Sequence, residues 1–211
     1  MMSMVAGRDE FFVEHDEVRR FIGEVQQERA TTPDVETLVE NLKPAFGRLL
    51  ASQGWLPEEF SVPYEASGMG GGIGQYLLFR SADKSLTLFS LVVPSGSSTP
   101  VHDHLAWGLV GLYQGEQHEE VYELERGNAD DGDAALKLAE VRDLTQGEFY
   151  ALLPPDGDIH RVTTTSDAAS ISIHLLGNDA GCVLRHSYEP DAGRSQSFRS
   201  GYSNVACEEA S

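Results

Sequence analysis

The residues of this chain best suited to chemistry are two histidines one residue apart, His102 and His104, in the run Gly96-Ser-Ser-Thr-Pro100-Val-His102-Asp-His104-Leu-Ala-Trp107-Gly108. On a β-strand, side chains two positions apart point to the same side, so this pair is placed to share one metal ion. A third imidazole must come from elsewhere. The best candidate is His160, which closes the turn-rich segment Pro154-Pro155-Asp-Gly157-Asp-Ile-His160 and opens a β-rich run. The expectation is a mononuclear three-histidine metal site inside a small β-barrel. Of the remaining histidines, His15, His118 and His186 read as surface or structural, and Asp103 reads as holding a turn or a neighbouring imidazole.

The elements that must carry these residues are mostly strands. From Gln75 onward, short runs rich in β-branched, aromatic and leucine residues alternate with turn clusters. The expected strands are 76–80, 85–93, 107–113, 117–125, 136–143, 148–153, 160–165 and 170–176. Tight turns and no intervening helices describe a jelly roll or barrel. The acidic stretch 125–133 reads as a solvated hairpin loop, and the tail after Pro190 as extended or partly ordered. Before the strands, Val18, Phe21, Ile22 and Val25 recur at helical spacing within 9–30. A second helix is expected from a Thr32-Pro33 start, burying Val35, Leu38, Val39 and Leu42, with Pro44 bending or ending it. Both helices are expected to pack on a sheet face. The run Gly68-Met-Gly-Gly-Gly-Ile-Gly74 lacks a following Gly-Lys-Ser/Thr and a βα context, so it reads as a loop at the barrel mouth and not a phosphate cradle.

Composition narrows the function. A chain of 211 residues suits one well-packed core, here a helical segment over 1–54 on a barrel with C-terminal extension over 55–211. A net charge of −19 leaves no basic stripe for phosphates and argues against nucleic acid. The two cysteines, Cys182 and Cys207, form no Cys-x-x-Cys pair, so neither a disulfide framework nor a zinc knuckle is expected and a reducing cytoplasm fits best. Met1–Arg8 is too short for a signal peptide, and no apolar run reaches membrane-spanning length.

The spacing Gly96-x5-His102-x-His104-x3-Gly108-x6-Gly115 resembles the first cupin motif, with glycine where that motif usually carries a glutamate ligand. Gly147, Pro155, Gly157 and His160 follow the order of the second motif. The fold implied is mainly β, a cupin double-stranded β-helix (jelly-roll barrel) with N-terminal helices. Three neutral imidazoles would leave a divalent ion its full charge, with open positions for an anionic ligand and oxygen. Within the cupins, Pro100-Val-His-Asp-His104 followed by Trp107-Gly108 is similar to the thiol dioxygenases, the cysteine dioxygenase family and especially its bacterial 3-mercaptopropionate branch. This likeness runs from about Tyr76 to Tyr188. It implies Fe(II) held by His102, His104 and His160, and oxidation of a small thiol by O2 to its sulfinic acid. It further implies that Ser172 orients His174 in a relay above the metal, and that Arg185, eleven residues past His174, grips a substrate carboxylate.

One position departs from that family. Where its relay ends in a tyrosine two residues beyond the histidine, this chain has Leu176, leaving Tyr188 and Tyr202 as candidates for the missing hydroxyl. No cysteine lies near Gly108 to form the thioether of the mammalian enzymes. Two other readings therefore stand beside thiol oxidation: cleavage of a carbon–carbon bond in a diketone-like substrate at the same three-histidine cage, and a non-catalytic protein that binds a small acid through its metal. A homo-oligomer is left open.

Overall fold

The computed structural model describes residues 7–208; most of the Met1–Arg8 segment and Glu209 of the acidic tail lie outside it. Twelve strands and two helices occur among the described residues. All eight expected strands are present: β2 (Gly74–Arg80), β3 (Thr87–Val93), β5 (Gly108–Gln114), β6 (Glu116–Asn128), β7 (Asp133–Thr145), β8 (Phe149–Leu152), β9 (Ile159–Thr164) and β10 (Ser170–Leu176). The strand expected to carry His102 and His104 is short and ends at His102, and three others were not expected. The short strand is the two-residue β4 (Val101–His102), and the unexpected ones are β1 (Glu10–Phe11), β11 (Arg185–Glu189) and β12 (Arg194–Phe198).

The strands form two antiparallel sheets, the mainly β double-stranded helix expected from the sequence. One runs β1-β2-β3-β10-β5-β8. The other, β11-β12-β7-β6-β9-β4, closes on itself because β4 pairs with both β9 and β11. All seven residues of β2, β3 and β10 are buried. That follows from covering both faces of the first sheet: one face looks into the barrel, and the other lies under the helices with Leu78, Leu88, Leu109, Ile173 and Leu175 in one apolar cluster with Phe21, Leu42 and Phe46.

Helix α1 spans Asp16–Thr31, so the expected start at residue 9 is corrected. Glu10 and Phe11 pair with Arg80 and Phe79 instead, and the Phe11 and Phe79 rings meet at 4.8 Å. His15 caps α1, its Nδ1 accepting from the Glu17 amide. Helix α2 spans Val35–Ala51 and is capped by Asp34, which accepts from the Thr37 amide, so Thr32-Pro33 precedes the helix without starting it. Pro44 lies inside α2 without ending it; its ring is on the exposed side, away from buried Leu42, Ala45 and Phe46. The acidic stretch is also shorter as a loop than expected. The β6–β7 ladder runs out to Asn128 opposite Asp133, leaving one 3-10 turn at Ala129–Asp131.

The cysteines overturn an expectation: Cys182 and Cys207 form a disulfide across 25 residues of chain. Their spacing carried no sign of it, because the fold and not the local sequence brings them together. The cysteine count accordingly no longer supports a reducing compartment. No helix among the described residues is long and apolar enough to cross a membrane.

Helix α2 sits on the barrel at Gly111. A Cβ there would stand 2.4 Å from Leu50 Cδ1, 2.7 Å from Phe149 Cβ and 2.9 Å from Phe46 Cε1. Gly111→Ala is therefore expected to destabilise the fold by about 1–3 kcal/mol through overpacking, read as a lower urea midpoint at unchanged slope.

Candidate metal centre

The three histidines expected to act together do converge. His102 pairs directly with His160 across β4 and β9, which puts both rings on the barrel's inner side. His104 lies beyond the end of β4 and not on it, so the strand alternation that suggested the pair does not place it. A turn does: Asp158 accepts from the backbone amides of both His104 and Leu105, each at 3.0 Å, and Leu105 takes a left-handed φ of 54°. The ring centroids stand 5.0, 4.8 and 4.8 Å apart, and one nitrogen from each lies within 4.8 Å of the others.

Each ring is fixed through its Nδ1. His102 meets the Pro100 carbonyl at 2.9 Å, His104 the Asp158 carbonyl at 3.3 Å, and His160 the Glu119 carboxylate at 2.5 Å. An Nδ1–H donated to such an acceptor leaves Nε2 as the lone-pair nitrogen. The Nε2 of His160 is buried with no hydrogen-bond partner. That orphaned nitrogen, inside a cage of three imidazoles, fits a divalent transition ion. Burial holds the His102 imidazole well below its ordinary pKa and lowers that of His104, with the neighbouring rings and Arg185 adding to it, so both stay in the uncharged form a metal requires.

Glu119 was missed by the sequence reading, being one acidic residue in the acidic run Glu116-Gln-His-Glu119-Glu120. It is fully buried on β6, and Tyr150 donates to it as well as His160, with Arg142 at 3.6 Å. Burial pushes its carboxyl up, but His160, Tyr150 and Arg142 more than offset this and hold it below the ordinary range. Glu119 binds the outer nitrogen of His160, so it does not occupy a ligand position.

Gly108 explains why the cage has no acidic member. It stands opposite Leu176 across β5 and β10, and a Cβ there would come within 2.3 Å of the Leu175 carbonyl oxygen and 2.4 Å of Leu176 Cδ2. Leu176 thus fills the room that a side chain at 108 would need.

The other candidate residues lie on the same inner surface. His174 stands on β10 with its Nε2 2.9 Å from Ser172 Oγ, its ring stacked on Phe89 at 4.6 Å and 6.1 Å from the His104 ring. Its Nδ1 is buried without a partner, and burial with the nearby imidazoles keeps it neutral. Arg185 is on β11, two residues from Ser187, the partner of His102, and so shares the face of His102. It is 2% exposed. Its Nη1 donates to the Asp103 carbonyl at 2.5 Å and its Nη2 to Ser200 Oγ at 2.9 Å, while Nε has no partner. Among the described residues no carboxylate oxygen lies within the 4.0 Å of an ion pair. Burial drags its pKa down to about 10, which leaves the guanidinium charged at neutral pH.

The two spare tyrosines are already engaged. Tyr188 donates to Asp103, which also takes His186 Nδ1 at 2.7 Å, and Tyr202 donates to Asp179 at 3.0 Å. Neither hydroxyl stands in for the one missing at Leu176.

No protein-family model matches the sequence. Solved structures with a related fold include an RmlC-like cupin from Shewanella frigidimarina, 18% identical over 60% of this chain and 92% of that one, TM-score 0.41. An acetylacetone dioxygenase from Acinetobacter johnsonii is 19% identical over 71% of this chain and 85% of that one, TM-score 0.40. An oxalate oxidase is 18% identical, TM-score 0.34; the match takes in 46% of this chain and only 43% of the oxidase chain. The architecture rests on the strand order and the chemistry on the side chains, not on these likenesses.

Glu119→Gln keeps the shape but removes the charge behind His160. It should weaken binding of a divalent ion about 10- to 100-fold, as loss of such a partner does elsewhere, measured by competition against a chromogenic chelator.

Proposed function

We propose that this chain is a three-histidine, Fe(II)-dependent dioxygenase that oxidises a small carboxylate-bearing thiol to its sulfinic acid. The observation that carries this reading is Arg185: a buried, charged guanidinium with a free Nε and no carboxylate beside it, sharing an interior with three imidazoles. A buried guanidinium that no carboxylate meets in an ion pair, with Nε free, suits a ligand that brings its own negative charge. A carboxylate can accept two parallel hydrogen bonds from a guanidinium, which fixes its orientation as well as its position.

The roles divide accordingly. His102, His104 and His160 would hold the ion, which when bound supplies oxygen activation; both atoms of O2 end on sulfur, converting R–SH to R–SO2H. Arg185 holds the carboxylate end and so directs the thiol toward the three Nε2 atoms. Ser172 keeps the neutral His174 ring in place against Phe89, presenting its unpartnered Nδ1 to the interior. Leu176, Val110, Leu91 and Phe89 exclude water from that side.

A second reading draws on the same wall. With Leu176 apolar and both spare tyrosines engaged elsewhere, the site also suits an oxygenase acting on a diketone-like substrate, which needs no hydroxyl relay. Arg185 separates the two.

In iron-loaded protein, oxygen uptake is expected with 3-mercaptopropionate, cysteine or mercaptosuccinate and not with a diketone. Arg185→Ala should lower kcat/KM for the carboxylate thiol by about 30- to 100-fold, the equivalent of losing about 2–3 kcal/mol of charged hydrogen bonding. Uptake with a diketone that is indifferent to Arg185→Ala would establish the second reading instead.

A further inference from the structure

We infer that the C-terminal strap, residues 199–204, is part of the carboxylate-binding site, with Ser200 a positioning residue for Arg185 and the Cys182–Cys207 disulfide the fastening that holds the strap in place. This rests on the reading of Arg185 as the carboxylate anchor.

Arg185 is held on three sides, two from the barrel strands and their turns and one from the strap. Phe198, the last residue of β12, lies under the guanidinium at 4.7 Å and the Asp103 carbonyl accepts from Nη1, while the strap contributes Ser200, whose Oγ accepts from Nη2 at 2.9 Å. Ser200 is itself buried. With Nη1 and Nη2 each tied to one acceptor, the planar group is fixed in rotation, and its remaining donors, Nε among them, face a set direction. Without Ser200 the guanidinium could turn about its last bonds and the free edge would lose its aim.

The strap then continues across the open edge of β2. Ser203 and Asn204 take up the backbone groups of Gln75 and Leu77 that no strand pairs: Gln75 N donates to Ser203 Oγ at 3.0 Å and Leu77 N to Asn204 Oδ1 at 2.9 Å. Between them and Ser200, the Tyr202 ring meets Phe89 edge-on at 6.2 Å, and Phe89 in turn stacks on His174. The strap therefore forms a wall of the same interior that holds the imidazoles. Gly68 of the glycine-rich loop presses on it from outside, since a Cβ there would lie 2.4 Å from the Ser200 carbonyl oxygen.

Two further ties run to the loop after β10: the Gly201 amide donates to the Gly181 carbonyl at 2.9 Å and the Tyr202 hydroxyl to Asp179 at 3.0 Å. A cavity of about 350 Å³ separates much of the strap from the loop around Tyr64, and Gln75 Nε2, at its edge, is buried with no partner. At the far end, Lys84 and Glu208 form an exposed ion pair, which contributes little. The disulfide is the one covalent tie, joining the loop after β10 to Cys207, three residues past the strap, and both its cysteines are half-buried. Reduction takes up two electrons and two protons to give two thiols. In a cell a dithiol would supply them and leave as its own disulfide; at the bench a water-soluble phosphine supplies the electrons and leaves as its oxide, taking oxygen from water. Loosening the strap withdraws Ser200 from Arg185.

The test compares anaerobic dissociation constants of iron-loaded protein for 3-mercaptopropionate and for 1-propanethiol, which lacks the carboxylate. Ser200→Ala, the double variant Cys182→Ser/Cys207→Ser and phosphine-reduced protein should each lose about tenfold of the preference for 3-mercaptopropionate. Ser200→Thr should restore it. Hydrogen exchange over 199–207 should rise in the double variant and on reduction. An unchanged preference in Ser200→Ala and the double variant, while Arg185→Ala abolishes it, would overturn the strap's role and leave the anchor standing. Unchanged hydrogen exchange would overturn the fastening. A preference that survives Arg185→Ala would sink anchor and strap together.

Discussion

A positive charge buried without a counter-charge is the constraint around which this interior is arranged. Burying an ion costs several kcal/mol unless it is paired and fully hydrogen-bonded, and Arg185 is neither. Its neighbours satisfy part of the guanidinium and stop short of neutralising it. The nearest acidic groups are spoken for: Asp103 by His186 and Tyr188, Asp158 by the backbone of His104 and Leu105, Glu119 by His160 and Tyr150. Every buried carboxylate near the site thus holds something in place rather than answering Arg185 or completing the cage. One edge of the Arg185 guanidinium is thereby left without a partner.

That arrangement divides the two sheets by task. The closed sheet supplies His102 and His160 from paired strands, Glu119 behind them on β6, and Arg185 on β11. The other sheet supplies His174 and Ser172 and otherwise an apolar wall, in which Gly108 and Leu176 are fitted to each other so closely that neither an acidic ligand at 108 nor a hydroxyl at 176 has a place. A site of this kind owes its acid–base neutrality to packing as much as to the choice of histidine. Dry walls also strengthen each electrostatic contact made inside them.

The sequence made the strands of the barrel legible because their apolar runs are long and their turns are marked by glycine and proline. It also made the histidine cage legible through the His-x-His pair and the turn ending at His160. What it hid was set by contacts distant in sequence. β4 is too short to show a pattern, and His104 is aimed by Asp158, 54 residues away. Glu119 is one acid in an acidic run, told from Glu120 only by which face of β6 each occupies. β11 and β12 carry polar, serine-rich sequences whose strand character comes from pairing with each other. The disulfide joins cysteines that meet only because β12 and the strap return to the loop after β10. Helix starts shifted where a better cap lay next door, as with Asp34 in place of Thr32, or where a strand claimed the residues, as Glu10 and Phe11 did before α1.

X-ray absorption at the iron edge of anaerobically loaded protein, before and after 3-mercaptopropionate is added, reads the metal's neighbours directly. Three imidazole nitrogens and no protein carboxylate are expected around the iron, with a sulfur neighbour gained when the thiol is added. Fewer than three imidazoles, a carboxylate from the chain in the shell, or a spectrum unmoved by the thiol would contradict that expectation.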